Sequence, residues 1–327
     1  MERRRSPRSP IRQTPRREDR ITLLGGQMDL VRPEEVMAEL DQQVAAGRSY
    51  LVANHNLHSL YLLPRHGELA DFFASADLIE IDSTPLIAFA RLLGLPARPF
   101  HRCTYLDWRD HFWSLADRRA WRVFYLGGAP GVAQIAAGRI SRLYPGATIA
   151  VADGYFDAAE ASGDNRAVLE QVRAFGPHIL MVGMGMPRQE QWILRNRAAL
   201  PPCVILPVGA AFDYEADAQK AAPRWMGRAG LEWLFRLTAD PKRLWRRYCL
   251  EPWFLVGPAL RDIGDAIAQR RFMARRSSGR RPVSEPVPVQ GGLDLGEDGA
   301  QPALPAELQE DLIVQGPETR LVDRQEA

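Results

Sequence analysis

Short, mostly apolar runs alternate with helical patterns along the chain. Six of these runs lack a regular alternation of polar positions, as expected of strands buried on both faces of a parallel sheet. The predicted strands are residues 50–53, 78–81, 122–126, 148–152, 179–183 and 204–208. Helical patterns follow at residues 57–75, 85–94, 131–143, 158–175, 187–199 and 223–238. This alternation predicts an α/β fold with a parallel sheet.

The two ends of the chain differ in composition from this central region. Residues 1–20 contain eight Arg against three acidic residues, and residues 282–327 contain ten acidic residues against two Arg. Because neither end has sustained periodicity, we predict disordered tails over 1–20 and 275–327. Between them we expect an α/β domain over 21–222 and a helical appendage over 223–274. The predicted fold class is therefore a Rossmann-like parallel sheet flanked by helices, with a basic, aromatic-rich C-terminal helical appendage.

Composition narrows the classes of protein to which the chain can belong. The 327 residues are 46% hydrophobic, enough for a sizeable core, and the net charge of +2 is unlike that of a nucleic-acid polycation. Cys103, Cys203 and Cys249 have neither disulfide nor metal-site spacing, which favours a reducing compartment. The N-terminus lacks the apolar core of a secretory signal, and no apolar run approaches the roughly 18 residues of a spanning helix. We therefore expect a cytoplasmic protein.

Unusual polar and glycine residues follow the predicted strands, where parallel α/β sheets bind their ligands. The candidate substrate-binding residues of this kind are Asn54, Asn56, Gly127, Gly128, Asp153, Gly185, Arg188, Gln189 and Asp213. The carboxylates and amides among them also fit turns or helix caps. His55 and His58 are three residues apart but have no evident third ligand, so we predict no metal site.

Two glycine-rich turns lead from a predicted strand into a helix. "GGAPG" at residues 127–131 allows close approach of the backbone to a phosphate at a helix N-terminus, or only a tight turn. "GMGMPRQE" at residues 183–190 has Arg188 where a dinucleotide fingerprint needs its third glycine, which weakens a nicotinamide or flavin site. Gln189 could instead hydrogen-bond a sugar or a base.

Asp82 stands at the junction between the strand pattern of residues 78–81 and an apolar helical pattern. The acid-x-acid spacing of Glu80 and Asp82 resembles the spacing that nucleotide-sugar enzymes use to hold a divalent metal, since strand alternation puts both carboxylates on one face. Asp82 alone, at the end of a strand, is the simpler functional candidate, and a helix cap is the structural alternative.

Arginine residues in two regions suit anionic ligands. Arg102 and Asp107 are further candidate substrate-binding residues. Arg102 is of the residue type that grips a diphosphate bidentately, although a surface salt bridge is the alternative. Cations and large aromatic residues interleave over residues 222–255, which favours a membrane surface over nucleic acid as the partner. A core helix with a solvated basic face is the structural alternative. The candidate membrane or diphosphate contacts there are Arg236, Arg243, Arg246 and Arg247.

In combination, these stretches resemble the bacterial WecG/TagA/CpsF family of glycosyltransferases over residues 22–255. The resemblance is carried by "ANHNLHSLYLL", "ADLIEIDSTPLIAFARLLG", "RCTYLD", "VFYLGGAPGVA", "DGYF", "VGMGMPRQEQWI", "VGAAFDYEADAQKAAPRW" and "GLEWLFRLTADPKRLWRRY". The ordered series is highly specific, and its last stretch is the most specific part.

The resemblance implies an inverting, metal-independent transfer of a hexose or N-acetylhexosamine from a UDP-sugar to a polyprenyl-diphosphate-linked saccharide. It implies no cofactor, and it places the protein on the cytoplasmic membrane face in cell-surface polysaccharide synthesis. The proposed general base of the family falls on Asp82, its diphosphate-binding Arg on Arg102, and its Gln on Gln189. The basic segment that docks on the membrane and closes over the site falls on residues 224–255.

Four positions depart from the family pattern, namely Asn54 for Thr, Ser83 for Gly, Tyr105 for Gly and Ala221 for Arg. We expect these departures to affect donor or acceptor recognition more than the reaction class. They also support the alternative of a non-catalytic nucleotide-sugar-binding subunit at the membrane. A nicotinamide oxidoreductase is the third hypothesis. The sequence leaves the donor sugar, the acceptor glycan and the formation of a homo-oligomer open.

Overall fold

The chain begins its described structure with a β-hairpin. The computed structural model describes residues 19–228 and 230–278. Strands β1 (Arg20–Leu23) and β2 (Gly26–Asp29) pair antiparallel through a two-residue turn. Leu24 and Gly25 in this turn both have positive φ, at 52° and 83°. Turns of this kind match the right-handed twist of the paired strands.

A six-stranded parallel sheet forms the centre of the fold. Its strands are β3 (Tyr50–His55), β4 (Leu78–Ile81), β5 (Arg122–Gly127), β6 (Thr148–Ala152), β7 (Ile179–Gly183) and β8 (Val204–Pro207). The order across the sheet is β4, β3, β8, β7, β5 and β6, and each neighbouring pair is parallel. All six strands lie where the apolar runs predict them. The Rossmann-like α/β fold is thereby confirmed.

Helices cover both faces of the sheet and continue into a helical C-terminal segment. The first nine are α1 (Pro33–Ala45), α2 (Leu57–Leu62), α3 (Gly67–Ala74), α4 (Thr84–Leu92), α5 (Tyr105–Arg118), α6 (Val132–Leu143), α7 (Gly163–Phe175), α8 (Arg188–Asn196) and α9 (Ala211–Glu215). The C-terminal segment contains α10 (Arg224–Arg228), α11 (Glu232–Ala239), α12 (Pro241–Trp245), a π-helical turn (Arg246–Leu250), a 3-10 helix (Glu251–Leu255) and α13 (Val256–Ser278).

Helix boundaries follow local capping. The hydrophobic pattern predicts a helix from residue 158, but α7 begins at Gly163, because the Ser162 hydroxyl accepts a hydrogen bond from the Asn165 amide at 3.0 Å. Gly176, with φ of 59°, ends the same helix in the left-handed conformation. Pro64 divides the helix predicted over 57–75 into α2, a 3-10 turn and α3. A proline removes a helical hydrogen-bond donor and clashes with the preceding turn.

Successive residues of each central strand contribute to two separate hydrophobic cores. Phe124 and Leu126 of β5 pack with Leu60, Phe72 and Trp192 on one side of the sheet. On the opposite side, Val123 and Tyr125 belong to a second buried cluster. That cluster also contains Val36, Leu40, Trp108, Phe112, Ala133 and Phe212 from α1, α5, α6 and α9. The fold therefore has three layers, with the sheet in the middle.

The hairpin, α1 and α5 were not predicted from the hydrophobic pattern. In α5, the buried side chains of Tyr105, Trp108, Phe112 and Ala116 follow helical spacing, so a signal was available there. The hairpin strands are only four residues long. Strands this short carry too few positions for a period of two to be distinguished from chance.

The predicted tails fall mostly outside the described residues. Residues 1–18 and 279–327 belong to neither described range. Arg20 already forms part of β1, and α13 runs to Ser278, beyond the predicted tail start at residue 275. The division between the α/β domain and the appendage at residue 222 stays a prediction.

Gly183 at the end of β7 has no room for a side chain. A Cβ atom there would overlap the Tyr125 hydroxyl and the Gly209 carbonyl oxygen, which belong to neighbouring chain segments. We expect Gly183→Ala to lower the free energy of unfolding by about 1–3 kcal/mol, measured by urea denaturation. Gly163→Ala is the matched control, because a Cβ there meets nothing within 4 Å. Equal stability of the two variants would contradict this packing.

Candidate active site

The carboxyl ends of β4, β3, β8 and β7, which are consecutive in the sheet, open onto a cavity of about 220 Å³. We call it the first cavity. The sheet side contributes Asn54, Asp82, Gly185, Gln189 and Gly209, among others. The C-terminal segment contributes Glu232, Arg236, Leu244, Arg247 and Tyr248. The cavity is therefore enclosed jointly by the sheet edge and the C-terminal segment.

A second cavity of about 260 Å³ adjoins the first. Its walls include Leu57, Pro85, Trp233 and Pro252, and are more apolar than those of the first cavity. The two cavities share the side chains of Asn56, Asp82, Glu232, Arg236, Arg247 and Tyr248. Asp82 thus lies at the boundary between a polar cavity and a more apolar one.

The carboxylate of Asp82 makes no hydrogen bond or ion pair within the described ranges, although its backbone N–H donates to His55 O at 2.8 Å. The pKa of Asp82 is raised to about 7, chiefly by burial; the charges of Arg236 and Arg102 oppose the shift, and those of Glu232 and Asp107 add to it. A carboxylate with an elevated pKa and free oxygens is suited to accept a proton near neutral pH.

Arg247 is a partly buried cation that lines both cavities. Within the described ranges its guanidinium makes no hydrogen bond or ion pair, and its recorded side-chain contact is with the Tyr248 ring at 5.9 Å. Burial lowers the pKa of Arg247. Arg236, which also lines both cavities, forms an ion pair with Glu232. An anionic ligand in either cavity would therefore supply the ion-pair partner that the Arg247 guanidinium lacks among the described residues.

Arg102 connects the sheet edge to the C-terminal segment. Its guanidinium lies 2.9 Å from the Asp107 carboxylate, 3.5 Å from that of Glu232 and 3.5 Å from the Gly227 carbonyl oxygen. Thr104 donates to the second oxygen of Asp107 at 2.8 Å. Arg102 borders the second cavity, whereas Asp107 lies behind it and orients it. The salt bridge between Arg102 and Asp107, which was the structural alternative to diphosphate binding, is thus present. It also holds the Arg102 guanidinium at the wall of the second cavity.

The amide side chains at the strand ends have structural partners as well as a place in the cavity walls. Asn54 donates to the Pro207 carbonyl oxygen at 3.0 Å, and Asn56 caps α2 by accepting from the Ser59 amide at 3.0 Å. The Gln189 carbonyl oxygen accepts from the amides of Gly185 and Gly209, each at 3.2 Å. Gln189 therefore fixes the two loops that form one wall of the first cavity.

Besides Asp107, five of the predicted binding residues lie outside the described walls of both cavities: Gly127, Gly128, Asp153, Arg188 and Asp213. Gly127 ends β5, and Gly128 and Asp153 directly follow β5 and β6, which lie at the opposite side of the sheet from β4. Gly128 donates to Gly183 O and accepts from Gly154 N, so this turn is packed against neighbouring loops. Arg188 donates to Phe156 O at 2.6 Å. Their role in substrate binding stays a prediction.

The C-terminal segment carries a group of exposed aromatic side chains. Trp225, Trp233, Trp245, Trp253 and Phe254 are each at least 40% exposed. Arg246 is exposed beside them, and the side chain of Arg243 lies outside the described part of the chain. Across the described residues, none of the helices has the length and apolar character needed to cross a bilayer.

The histidine and acidic side chains near the cavities do not form a metal-ligand cluster within the described residues. Over residues 19–228 and 230–278, no three His, Cys, Asp or Glu side chains converge as a metal site. His55 is buried and bonded to Ser59, and His58 pairs with Glu251 at 2.5 Å, so the two histidines are used separately. The cavity residues Tyr214, Glu232 and Tyr248 lie in stretches that carry the family resemblance, but they were not among the predicted site residues.

Three of the departures from the family pattern have local structural roles. The Ser83 hydroxyl lies 3.5 Å from the Leu86 amide, at the N-cap of α4. The Tyr105 hydroxyl donates to Glu215 at 2.9 Å and accepts from Trp113 at 3.0 Å. Asn54 bonds to β8 as described above. Ala221 is exposed, and nothing in the structure explains this departure.

Comparison with known proteins agrees with this architecture. The model of the glycosyl transferase WecG/TagA/CpsF family matches residues 21–266. An N-acetylglucosaminyldiphosphoundecaprenol N-acetyl-beta-D-mannosaminyltransferase from Staphylococcus aureus is 26% identical over 204 residues, which are 59% of this chain and 78% of the relative. A relative of the same name from Bacillus spizizenii is 32% identical over 184 residues, 56% of this chain and 68% of the relative.

The length of the family match decides between the classes considered. It favours an enzyme over a non-catalytic binding subunit, and a sugar transferase over a nicotinamide oxidoreductase. The matched range includes every residue that the two cavities share. This chain therefore belongs to the WecG/TagA/CpsF family and is a glycosyltransferase.

Proposed function

We propose that this glycosyltransferase moves a hexose or N-acetylhexosamine from a UDP-sugar to a polyprenyl-diphosphate-linked saccharide, with inversion and without a metal ion. Asp82 is the general base, and the reaction takes place at the inner face of the cell membrane during cell-surface polysaccharide synthesis. The observation that carries the proposal is the position of Asp82, free of side-chain partners, between two cavities that share Arg236 and Arg247.

The two cavities suit the two substrates. The first cavity lies over the loops after β7 and β8, at the edge where parallel sheets bind nucleotides, and we assign it to the UDP-sugar. The second cavity is bordered by Trp233 and Pro252 of the C-terminal segment, and we assign it to the saccharide acceptor. The curated relatives are named for an N-acetylglucosaminyl-diphosphoundecaprenol substrate, which supports a lipid-linked acceptor.

The assigned mechanism needs a base and a cationic environment for the leaving group. Asp82 removes the proton of the acceptor hydroxyl as its oxygen attacks the anomeric carbon from the face opposite the departing UDP. The UDP diphosphate gains negative charge in that step. Arg247, Arg236 and Arg102 border the cavities from which such charge can be stabilised.

The exposed aromatic side chains support docking at the membrane. Trp and Phe rings bury apolar area at the level of the lipid headgroups, and neighbouring arginines attract anionic lipids. Trp233 is 40% exposed and also borders the second cavity, so the proposed membrane surface is continuous with the proposed acceptor cavity. A polyprenyl-linked acceptor would therefore reach Asp82 while its lipid remains in the bilayer.

A panel of UDP-sugars tests the proposal. Each donor is incubated with polyprenyl-diphosphate-N-acetylglucosamine in vesicles, with and without a chelator, and UDP release and the glycolipid product are both measured. We expect one or a few donors to yield a product of inverted anomeric configuration at an unchanged rate under chelation. No transfer from any UDP-sugar, or transfer with retention, would contradict the proposal.

The pH dependence of transfer follows from the pKa of Asp82. Because the ionised form is the base and its pKa is raised to about 7, kcat/KM is expected to rise about tenfold per pH unit below 7 and to level off above it. Burial also raises the pKa of Glu190 to about 7, so Glu190→Gln is the control and should keep the same inflection. A profile already flat from pH 5 upward would exclude Asp82 as the titrating base.

A further inference from the structure

One end of the first cavity contains an acidic side chain among apolar neighbours. Glu80 of β4 lies on the side of the sheet that packs against α1 and α5, where Val52 and Leu206 of adjacent strands belong to the apolar core. It is 4% exposed and borders the cavity. No described residue forms a hydrogen bond or an ion pair with its carboxyl group, and its Oε1 atom is fully shielded from solvent.

A second unpaired polar group lies in the same wall. Trp108 of α5 is 3% exposed, borders the first cavity, and its indole Nε1–H has no hydrogen-bond partner. Most buried polar groups in folded proteins have a partner, because an unpaired one lacks the hydrogen bonds that it made with water. Because both residues border the same cavity, a ligand that enters it is the partner that we infer for the two groups.

The chemistry of the two groups restricts that ligand. Burial raises the pKa of Glu80 well above its ordinary value, and the charges of Asp82 and Asp107 act in the same direction, so this environment favours the neutral acid over the carboxylate. A neutral carboxylic acid offers one O–H donor and one acceptor oxygen, and the indole offers a donor only. An amide group, with its own N–H and C=O, complements this set.

We propose that Glu80 and Trp108 form a subsite of the first cavity that hydrogen-bonds an amide group of the nucleotide-sugar donor. The proposal rests on the UDP-sugar assignment made above. Two parts of such a donor carry an amide, namely the acetamido substituent of an N-acetylhexosamine and the imide edge of uracil. The carboxyl of Glu80 ends a side chain with three rotatable bonds, so rotation about the last bond can turn either oxygen toward the ligand.

The test compares binding by calorimetry for the wild type, Glu80→Leu, Glu80→Gln and Trp108→Phe. The ligands are two matched pairs, UDP-N-acetylglucosamine with UDP-glucose and UDP-N-acetylmannosamine with UDP-mannose, together with UDP and CDP. Glu80→Leu keeps the size of the side chain but removes its hydrogen bonds, and about tenfold weaker binding is expected. Glu80→Gln retains a donor and an acceptor and should bind within about threefold of the wild type.

The pattern of loss identifies which amide is bound. If the acetamido group occupies the subsite, Glu80→Leu and Trp108→Phe weaken only the N-acetylhexosamine donors. If uracil occupies it, all uridine ligands weaken together and the preference for UDP over CDP falls. Either pattern supports the subsite.

Two results would overturn the subsite. The first is wild-type affinity of Glu80→Leu for every ligand, as expected if ordered water alone satisfies these groups. The second is an equal loss in Glu39→Leu, which removes another buried glutamate with an unpaired oxygen but lies outside both cavities. Failure of the wild type to bind any uridine ligand would instead refute the donor assignment, and the subsite with it.

Glu80→Leu should also raise the unfolding temperature by several degrees, because it removes a buried unpaired carboxyl group. Weaker binding in a more stable protein separates loss of a ligand contact from damage to the fold. Lower stability together with weaker binding of all six ligands would overturn the assignment of Glu80 to ligand binding.

Discussion

Asp82→Asn is expected to lower the rate of glycosyl transfer by about 10²–10⁴-fold while leaving UDP affinity within about threefold of the wild type. The amide has nearly the same shape as the carboxylate but cannot take a proton from the acceptor hydroxyl. Because no side chain in the described ranges bonds to the Asp82 carboxylate, the substitution breaks no recorded contact. Initial rates at saturating donor and UDP binding by calorimetry measure the two quantities. Wild-type turnover by this variant would rule out Asp82 as the base.

Asp153→Asn is the matched control for this prediction. Asp153 also follows a strand of the sheet, but β6 lies at the opposite edge from β4, and Asp153 borders neither cavity. Its carboxylate accepts a hydrogen bond from the Tyr155 amide at 3.0 Å, as in a local turn. We expect transfer within about threefold of the wild type. A loss as large as that of Asp82→Asn would show that the far edge of the sheet also serves the reaction.

The stability of Asp82→Asn checks the environment of the carboxyl group independently of activity. The folded-state pKa of about 7 lies above the ordinary value of 3.8, so folding favours the protonated acid and wild-type stability falls as pH rises from 4 to 7. Asparagine is neutral at every pH. The unfolding temperature of the variant minus that of the wild type should therefore be larger at pH 8 than at pH 4.

Deletion of all residues after Asp240 is expected to abolish transfer to a membrane-bound acceptor and to lower vesicle binding together. The deletion removes Leu244, Arg247 and Tyr248 from the wall of the first cavity. It also removes Glu251, which pairs with His58 of α2 at 2.5 Å. Vesicle sedimentation and glycolipid synthesis measure the two effects. Full activity on a membrane acceptor would refute both the docking and the enclosure of the site.

Point variants separate these two roles within a folded protein. Trp245 and Trp253 are 50% and 73% exposed and border neither cavity, so the double change to Ser should weaken vesicle binding by at least about tenfold but retain transfer to a short-chain soluble acceptor. Arg247→Gln should lower transfer to the short-chain soluble acceptor by at least about tenfold and leave vesicle binding unchanged. Leu143→Ser in α6, which removes a side chain 73% exposed elsewhere, is the control and should change neither.

The order of the strands explains why only some of the predicted site residues meet. The sequence alone does not distinguish which of the polar and glycine residues after the strands lie at the ligand-binding site. The sheet order β4, β3, β8, β7, β5, β6 brings Asp82, Asn54, Gly209 and Gly185 together and places Asp153 at the far edge. Strand order depends on which helices cross which face, and no local pattern of residues records it.

The six strands, the parallel α/β class and the family could all be predicted from the sequence, because buried strands and capped helices leave local signals of composition and spacing. It also singled out Asp82 through its family motif. The fold was needed to show that Arg247 and Tyr248 line a cavity at a strand end more than 160 residues earlier in the chain, and that Glu80 and Trp108 border this cavity with unpaired polar atoms. Burial, pKa and the pairing of polar atoms depend on neighbours distant in sequence, so they exist only once the chain has folded.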